Sequence, residues 1–196
     1  MLALELTAVA LAVAYLVLAI RQSLWCWPAA LASIALYVVI TIDARLYMDA
    51  ALQAYYAAMA VYGWHQWRRG GAAHAGVSIT VWPLRLHAAA IAGTLVLTGG
   101  FGTWLAANTD AAFPYLDSFT TIGSIVTTYM VARKVLENWI YWLVIDSLYV
   151  YIYAARGLVP TAGLFCFYLV LIVIGFRRWL RDFRAQSPAP AALAQG

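Results

Sequence analysis

The chain has 196 residues, of which 65% are hydrophobic and only 10% charged, with a net charge of +4 and a mean hydropathy of +0.81. A water-soluble domain is nearer half apolar and a quarter charged, and no polar stretch here is long enough for a separate soluble domain. The composition therefore describes one all-α integral membrane domain, and it excludes a nucleic-acid partner as the reason for the positive charge.

A spanning helix needs ~20 mostly apolar residues, and seven segments qualify in chain order: 3–20, 24–43, 47–67, 84–106, 115–132, 138–155 and 159–178. Polar punctuation separates them, as in "DARLYMD" at 43–49, "RRGGAAHAG" at 68–76 and "ARKVLEN" at 132–138. The first segment carries Glu5 in place of a positive n-region and has a long apolar run, so it reads as a true helix and not a cleavable signal. The transmembrane domain covers 1–184, and the small, Pro-containing stretch 185–196 reads as a disordered cytoplasmic tail.

Seven alternating crossings sort the cations. Arg21, Arg68, Arg69, Arg85, Arg133, Lys134, Arg177, Arg178, Arg181 and Arg184 fall on one side, and Arg45 and Arg156 on the other. By the positive-inside rule the N-terminus is periplasmic and the C-terminus cytoplasmic in a bacterial inner membrane.

Shifting the sequence against itself by 112 residues aligns Trp27 with Trp139, Tyr37 with Tyr149, Tyr56 with Tyr168, Gly63 with Gly175 and Trp67 with Trp179. Repeat one covers about 3–67, a linker helix about 84–106, and repeat two about 115–179. One extra crossing between two triplets keeps them parallel, a 3+1+3 layout found in transporters of the SWEET type.

The sixth segment holds an acid. At ~100° per residue, Trp139, Trp142, Asp146, Tyr149 and Tyr153 share one stripe, bordered by Asn138, with Glu137 at the helix mouth. On the third segment Gln53, Tyr56, Ala60, Trp64 and Trp67 share a face, and the fifth lines up Thr120, Ser124 and Thr127. An intramembrane carboxylate costs ~3 kcal/mol, and no Lys or Arg lies mid-span to pair with it. Beside indoles, which attract flat rings and cations, Asp146 reads as part of a site for a polar aromatic ligand. The ordinary alternatives are interhelical hydrogen bonds for Thr120, Ser124 and Gln53, and interfacial belts for Trp25, Trp27, Trp67, Trp82 and Trp179.

Other classes lack their chemistry. The last span has no lysine for a retinal Schiff base, there is no nucleotide-binding GxxxxGK[ST], and His87 stands isolated near the start of the fourth segment. HExxH and GxSxG are absent, so no enzyme is expected, and no cofactor or metal either. A non-catalytic membrane subunit is left open by composition, while the repeat and the polar-aromatic stripe favour a solute carrier.

The stretches "YGWHQWRRG" (62–70), "LDSFTTIGSIVTTYMVARKVLENWIYWLVID" (116–146) and "RGLVPTAGLFCFYLVLIVIGFRRW" (156–179) resemble the PnuC family of bacterial vitamin transporters over nearly the whole chain. The family's Trp-x-x-Trp-x-x-x-Asn/Asp pattern falls on Trp139, Trp142 and Asp146. The resemblance implies facilitated diffusion of nicotinamide riboside, trapped afterwards by phosphorylation in the cytoplasm. It also implies a SWEET-like fold and a homotrimer, and it keeps thiamine or another vitamin or nucleoside as the alternative substrate. It places Trp139, Trp142 and Asp146 in the site, with Gln53 and Tyr56 opposite. Hinges for alternating access are sought at Gly99, Gly100, Gly102, Gly123, Pro28 and Pro160.

Overall fold

A computed structural model describes residues 2–43, 47–71, 74–155, 157 and 159–186. It contains α1 (Leu2–Ile20), α2 (Cys26–Asp43), α3 (Tyr47–Arg69), α4 (Leu84–Asn108), α5 (Pro114–Ala132), α6 (Asn138–Ala155) and α7 (Val159–Gln186). These follow the seven apolar segments closely, except that α7 continues through the arginine-rich stretch. The physical reason is that Trp179, Leu180 and Phe183 prolong its apolar face and pack on the core, while Arg181 between them is exposed. Arg45, Arg156 and the tail from 187 lie outside the described residues.

The helices close into a ring. Among the described residues α1 packs on α2, α2 on α3, α3 on α5, α5 on α6, α6 on α7, and α7 back on α1. α4 stands outside the ring, packed chiefly against α5, and turns Leu84, Val96, Phe101 and Trp104 outward. Leu84–Asn108 and Ala162–Gln186 are each long and apolar enough to cross a membrane, where such exposed apolar faces meet lipid or another chain. Gly102 lets Tyr115 of α5 lie against the α4 backbone, since a Cβ there would overlap the phenol ring. It is thus a packing position between α4 and α5. Of the other expected hinges, Gly99 and Gly100 border open space, Gly123 lies close to Ile145, and the side chain of Pro160 is outside the described residues.

The turns at the cation-rich end recur bond for bond. Gln22 N–H donates to Ala19 at 3.0 Å and Lys134 N–H to Val131 at 3.0 Å; Ser23 donates to Leu18 at 3.0 Å and Val135 to Met130 at 2.9 Å. Gln22 and Lys134 both sit in the left-handed region, at φ 54° and 50°. Each pair is separated by the 112 residues of the sequence shift. The same local geometry in both places means that the two turns redirect their chains alike.

Beyond those turns four indoles fill the centre of the bundle. Trp27 lies over Gly63 and Trp139 over Gly175, where any Cβ would overlap the ring. Trp27 meets Trp67 edge-on at 5.2 Å and 82°, and Trp139 meets Trp179 at 5.4 Å and 84°. The belt assignment is therefore corrected for Trp27, Trp67 and Trp179, which are 2%, 5% and 0% exposed. Trp25, at 69%, keeps the exposure expected of a belt residue. Lys134 caps the cluster, its ammonium 4.7 Å from the Trp67 ring, and burial holds its pKa below the ordinary lysine value.

His87 is not isolated. Its Nδ1 lies 2.9 Å from the Tyr141 hydroxyl and its Nε2 3.7 Å from Glu137, which joins the start of α4 to the start of α6. The loop before α4 is held to the same place by Thr80 and Leu136, which exchange backbone bonds with residues 134 and 80. A helix that is remote from His87 in sequence supplies its partners, so its surroundings could not be read locally.

Candidate functional site

Inside the ring lies a cavity of 430 Å³, within the ~300–1,000 Å³ typical of small-ligand sites. α6 contributes most of one wall: Asn138, Trp139, Trp142, Asp146, Tyr149 and Tyr153. These sit on one side of the helix because their spacing keeps them within the same sector. Across from them α3 places Gln53 and Tyr56, and α5 places Ser124.

Asp146 is 6% exposed and makes no ion pair or hydrogen bond among the described residues. The described arginines and the lysine gather at one end of the bundle, so none neutralises it at its depth. Tyr56 and Tyr168 are the phenols in electrostatic reach. A carboxylate held this way is free to meet a ligand's positive charge or its hydroxyl groups.

Two more polar groups in the wall are unspent. Asn138 is fully buried and donates its amide to Val135 at 2.6 Å, but its Oδ1 has no partner. The Trp139 Nε1–H is also buried without an acceptor. Unpaired buried polar atoms cost ~1–3 kcal/mol each, so among the described residues these two groups each leave an unmet hydrogen bond behind the cavity wall.

Ser124 interacts with the hydroxyls of both Tyr56 and Tyr149, so the polar groups of α3, α5 and α6 form one connected patch. At the opposite end from the indole cluster, Phe165 packs against both Tyr149 and Tyr153, at 4.9 and 5.4 Å. The cavity thus has an indole floor, a tyrosine-phenylalanine roof and polar groups between.

Two expected residues lie elsewhere. Thr120 is fully buried behind the wall, with its hydroxyl donating to Leu116 and Asp117 carbonyls at 3.0 Å and interacting with Tyr149. Trp64 packs against the indole core and does not line the cavity. Helical periodicity places both on the correct broad face, but the neighbouring helices decide which residues reach the opening.

Tyr15, Tyr37, Phe165 and Tyr168 line the cavity without having been singled out as site residues. A signal existed for two of them, because Tyr37 and Tyr168 are the repeat partners of Tyr149 and Tyr56. Among the described residues no three His, Cys, Asp or Glu side chains gather as a metal would need. The arrangement suits reversible binding of a flat ring with polar substituents; no nucleophile and base stand together in it.

The family model described as "Nicotinamide mononucleotide transporter" matches residues 2–181. The riboflavin/roseoflavin transporter RibM of Streptomyces davaonensis is 34% identical over 180 residues, 88% of this chain and 83% of that protein. The nicotinamide riboside transporter PnuC of Escherichia coli is 25% identical over 182 residues, 80% of this chain and 76% of that protein. The fold is similar to the crystal structure of the vitamin B3 transporter PnuC, with a TM-score of 0.74 and 22% identity over 94% of this chain and 83% of that one.

Proposed function

The chain belongs to the PnuC family of vitamin transporters, whose model carries the description nicotinamide mononucleotide transporter, and from that membership we propose that it takes up nicotinamide riboside by facilitated diffusion. It is a transporter and not an enzyme, a multi-pass protein of the inner membrane. The observation that carries the substrate reading is Asp146: a buried carboxylate with no ion pair or hydrogen bond among the described residues, on the same wall as the Trp142 indole. Nicotinamide riboside brings a cationic ring for the indole and the carboxylate, and ribose hydroxyls for Gln53, Ser124 and the Asn138 Oδ1.

The recurring turns, the matched Trp–Gly pairs and the closed ring of six helices support a 3+1+3 arrangement of parallel triplets, with α4 as the linker. Alternating access then consists of the triplets rocking about the cavity. We place the cation-rich end, with the C-terminus, in the cytoplasm and the N-terminus in the periplasm. Phosphorylation of the imported vitamin keeps the gradient inward, and a homotrimer is the expected assembly.

A second reading, riboflavin uptake, is favoured by the 34% identity to a riboflavin/roseoflavin transporter. Titration calorimetry on the purified chain separates the readings, with nicotinamide riboside, thiamine and riboflavin added in turn. Binding of nicotinamide riboside in preference to the other two supports the first reading. Riboflavin or thiamine alone would replace it with that vitamin, and binding of none by folded protein would refute both readings.

A further inference from the structure

A second cavity of 320 Å³ adjoins the first, and the two share Tyr15, Tyr56, Trp142 and Tyr168 as walls. Its remaining lining includes a face of α2: Trp27, Ala30, Ser33 and Ile34. Under the 112-residue repeat this face corresponds to Trp139, Trp142, Ile145 and Asp146 of α6. The two lobes are thus built by equivalent helices, but Ala30 stands where the other lobe has Trp142, and Ile34 where it has Asp146.

These two differences determine the chemistry of the second lobe. Replacing an indole by a methyl group opens space, and replacing a carboxylate by Ile34 makes it apolar. The lobe's serine and threonine are already used: Ser33 donates to the Ala8 carbonyl at 2.9 Å and Thr128 to the Ser124 carbonyl at 2.7 Å. The Trp27 Nε1–H, in contrast, is buried without an acceptor, just as the Trp139 Nε1–H is in the first lobe. A mainly apolar slot with aromatic walls fits a flat heteroaromatic ring.

We propose that this α2 face is a ring-extension subsite, which admits fused-ring vitamins, and that Ala30 sets the largest ring system the transporter accepts. The proposal rests on the carrier reading. A single-ring ligand is held by the Asp146 lobe alone, whereas a tricyclic ring with its own polyol chain spans both lobes across Trp142.

The test is calorimetric titration of purified full-length wild type, Ala30→Trp and Ala30→Leu with nicotinamide riboside and with riboflavin. Size-exclusion chromatography and thermal unfolding establish that each variant is folded. The expected result is a loss of riboflavin affinity of about tenfold or more in Ala30→Trp, with nicotinamide riboside held within about twofold. Ala30→Leu should lose less, and it decides the matter by the same riboflavin-selective loss if Ala30→Trp does not fold. Unchanged riboflavin binding, or an equal loss of both ligands, overturns the proposal. Wild type that binds nicotinamide riboside but not riboflavin overturns it too and leaves the carrier reading intact. Wild type that binds neither of these nor thiamine overturns the subsite together with that reading.

Discussion

Trp67 and Trp179 exchange equivalent hydrogen bonds across the bundle: the Trp67 indole N–H donates to the Val131 carbonyl at 3.2 Å, and that of Trp179 to the Ala19 carbonyl at 3.1 Å. Donors and acceptors are each related by the same 112-residue shift, so the end of α3 grips the end of α5 just as α7 grips the end of α1. The rings themselves lie 6.0 Å apart. Trp67→Phe and Trp179→Phe should each lower stability by ~1 kcal/mol by removing one of the hydrogen bonds that these carbonyls accept. The double variant should depart from the sum, because the residues are neighbours. Unfolding of the purified variants in detergent measures both effects.

Gly63 and Gly175 are the matched positions under the Trp27 and Trp139 rings. Adding a methyl group at either forces an indole to move within a packed core, at a cost of about 1–3 kcal/mol. Gly63→Ala and Gly175→Ala should therefore both unfold at lower temperature than Gly99→Ala, whose Cβ meets open space. Equal behaviour of all three would contradict the packing.

Trp142 lines both lobes of the cavity. Its replacement by Ala should weaken vitamin binding by ~2 kcal/mol, roughly 30-fold in Kd, through lost apolar burial and stacking. Calorimetry on folded Trp142→Ala reads this directly, and wild-type affinity would remove α6 from the substrate contact.

Asp146→Asn preserves shape and hydrogen bonding while deleting the charge. For a cationic ring ligand the loss should be ~1–2 kcal/mol, about tenfold in Kd. A neutral ligand such as riboflavin should bind nearly as before. Comparing the two ligands on one variant separates charge recognition from hydrogen bonding.

Facilitated diffusion has its own signature. In proteoliposomes labelled vitamin should equilibrate to the external concentration and no further, and an imposed proton gradient should leave the end point unchanged. Accumulation above the external level under that gradient would assign ion coupling to the transporter.

The amino-acid sequence determined the seven helices closely apart from the C-terminal end of α7, because a span is set by a one-dimensional length of apolar side chains between polar breaks. The 112-residue shift is also legible in it, since it matches Trp27 with Trp139, Gly63 with Gly175 and Trp67 with Trp179. The stripe of Trp139, Trp142 and Asp146 followed from the pitch of one helix. Tertiary structure alone decided how those faces meet. Trp27, Trp67 and Trp179 lie in the core and not in a belt, because two pairs of helices cross at glycines and enclose them. Thr120 and Trp64 share broad faces with true lining residues, yet a rotation of one helix against its neighbours sets them outside the cavity. The apolar lobe at Ala30 exists because α2 and α6 are brought around a common centre, and empty space between helices is not a property of any one of them.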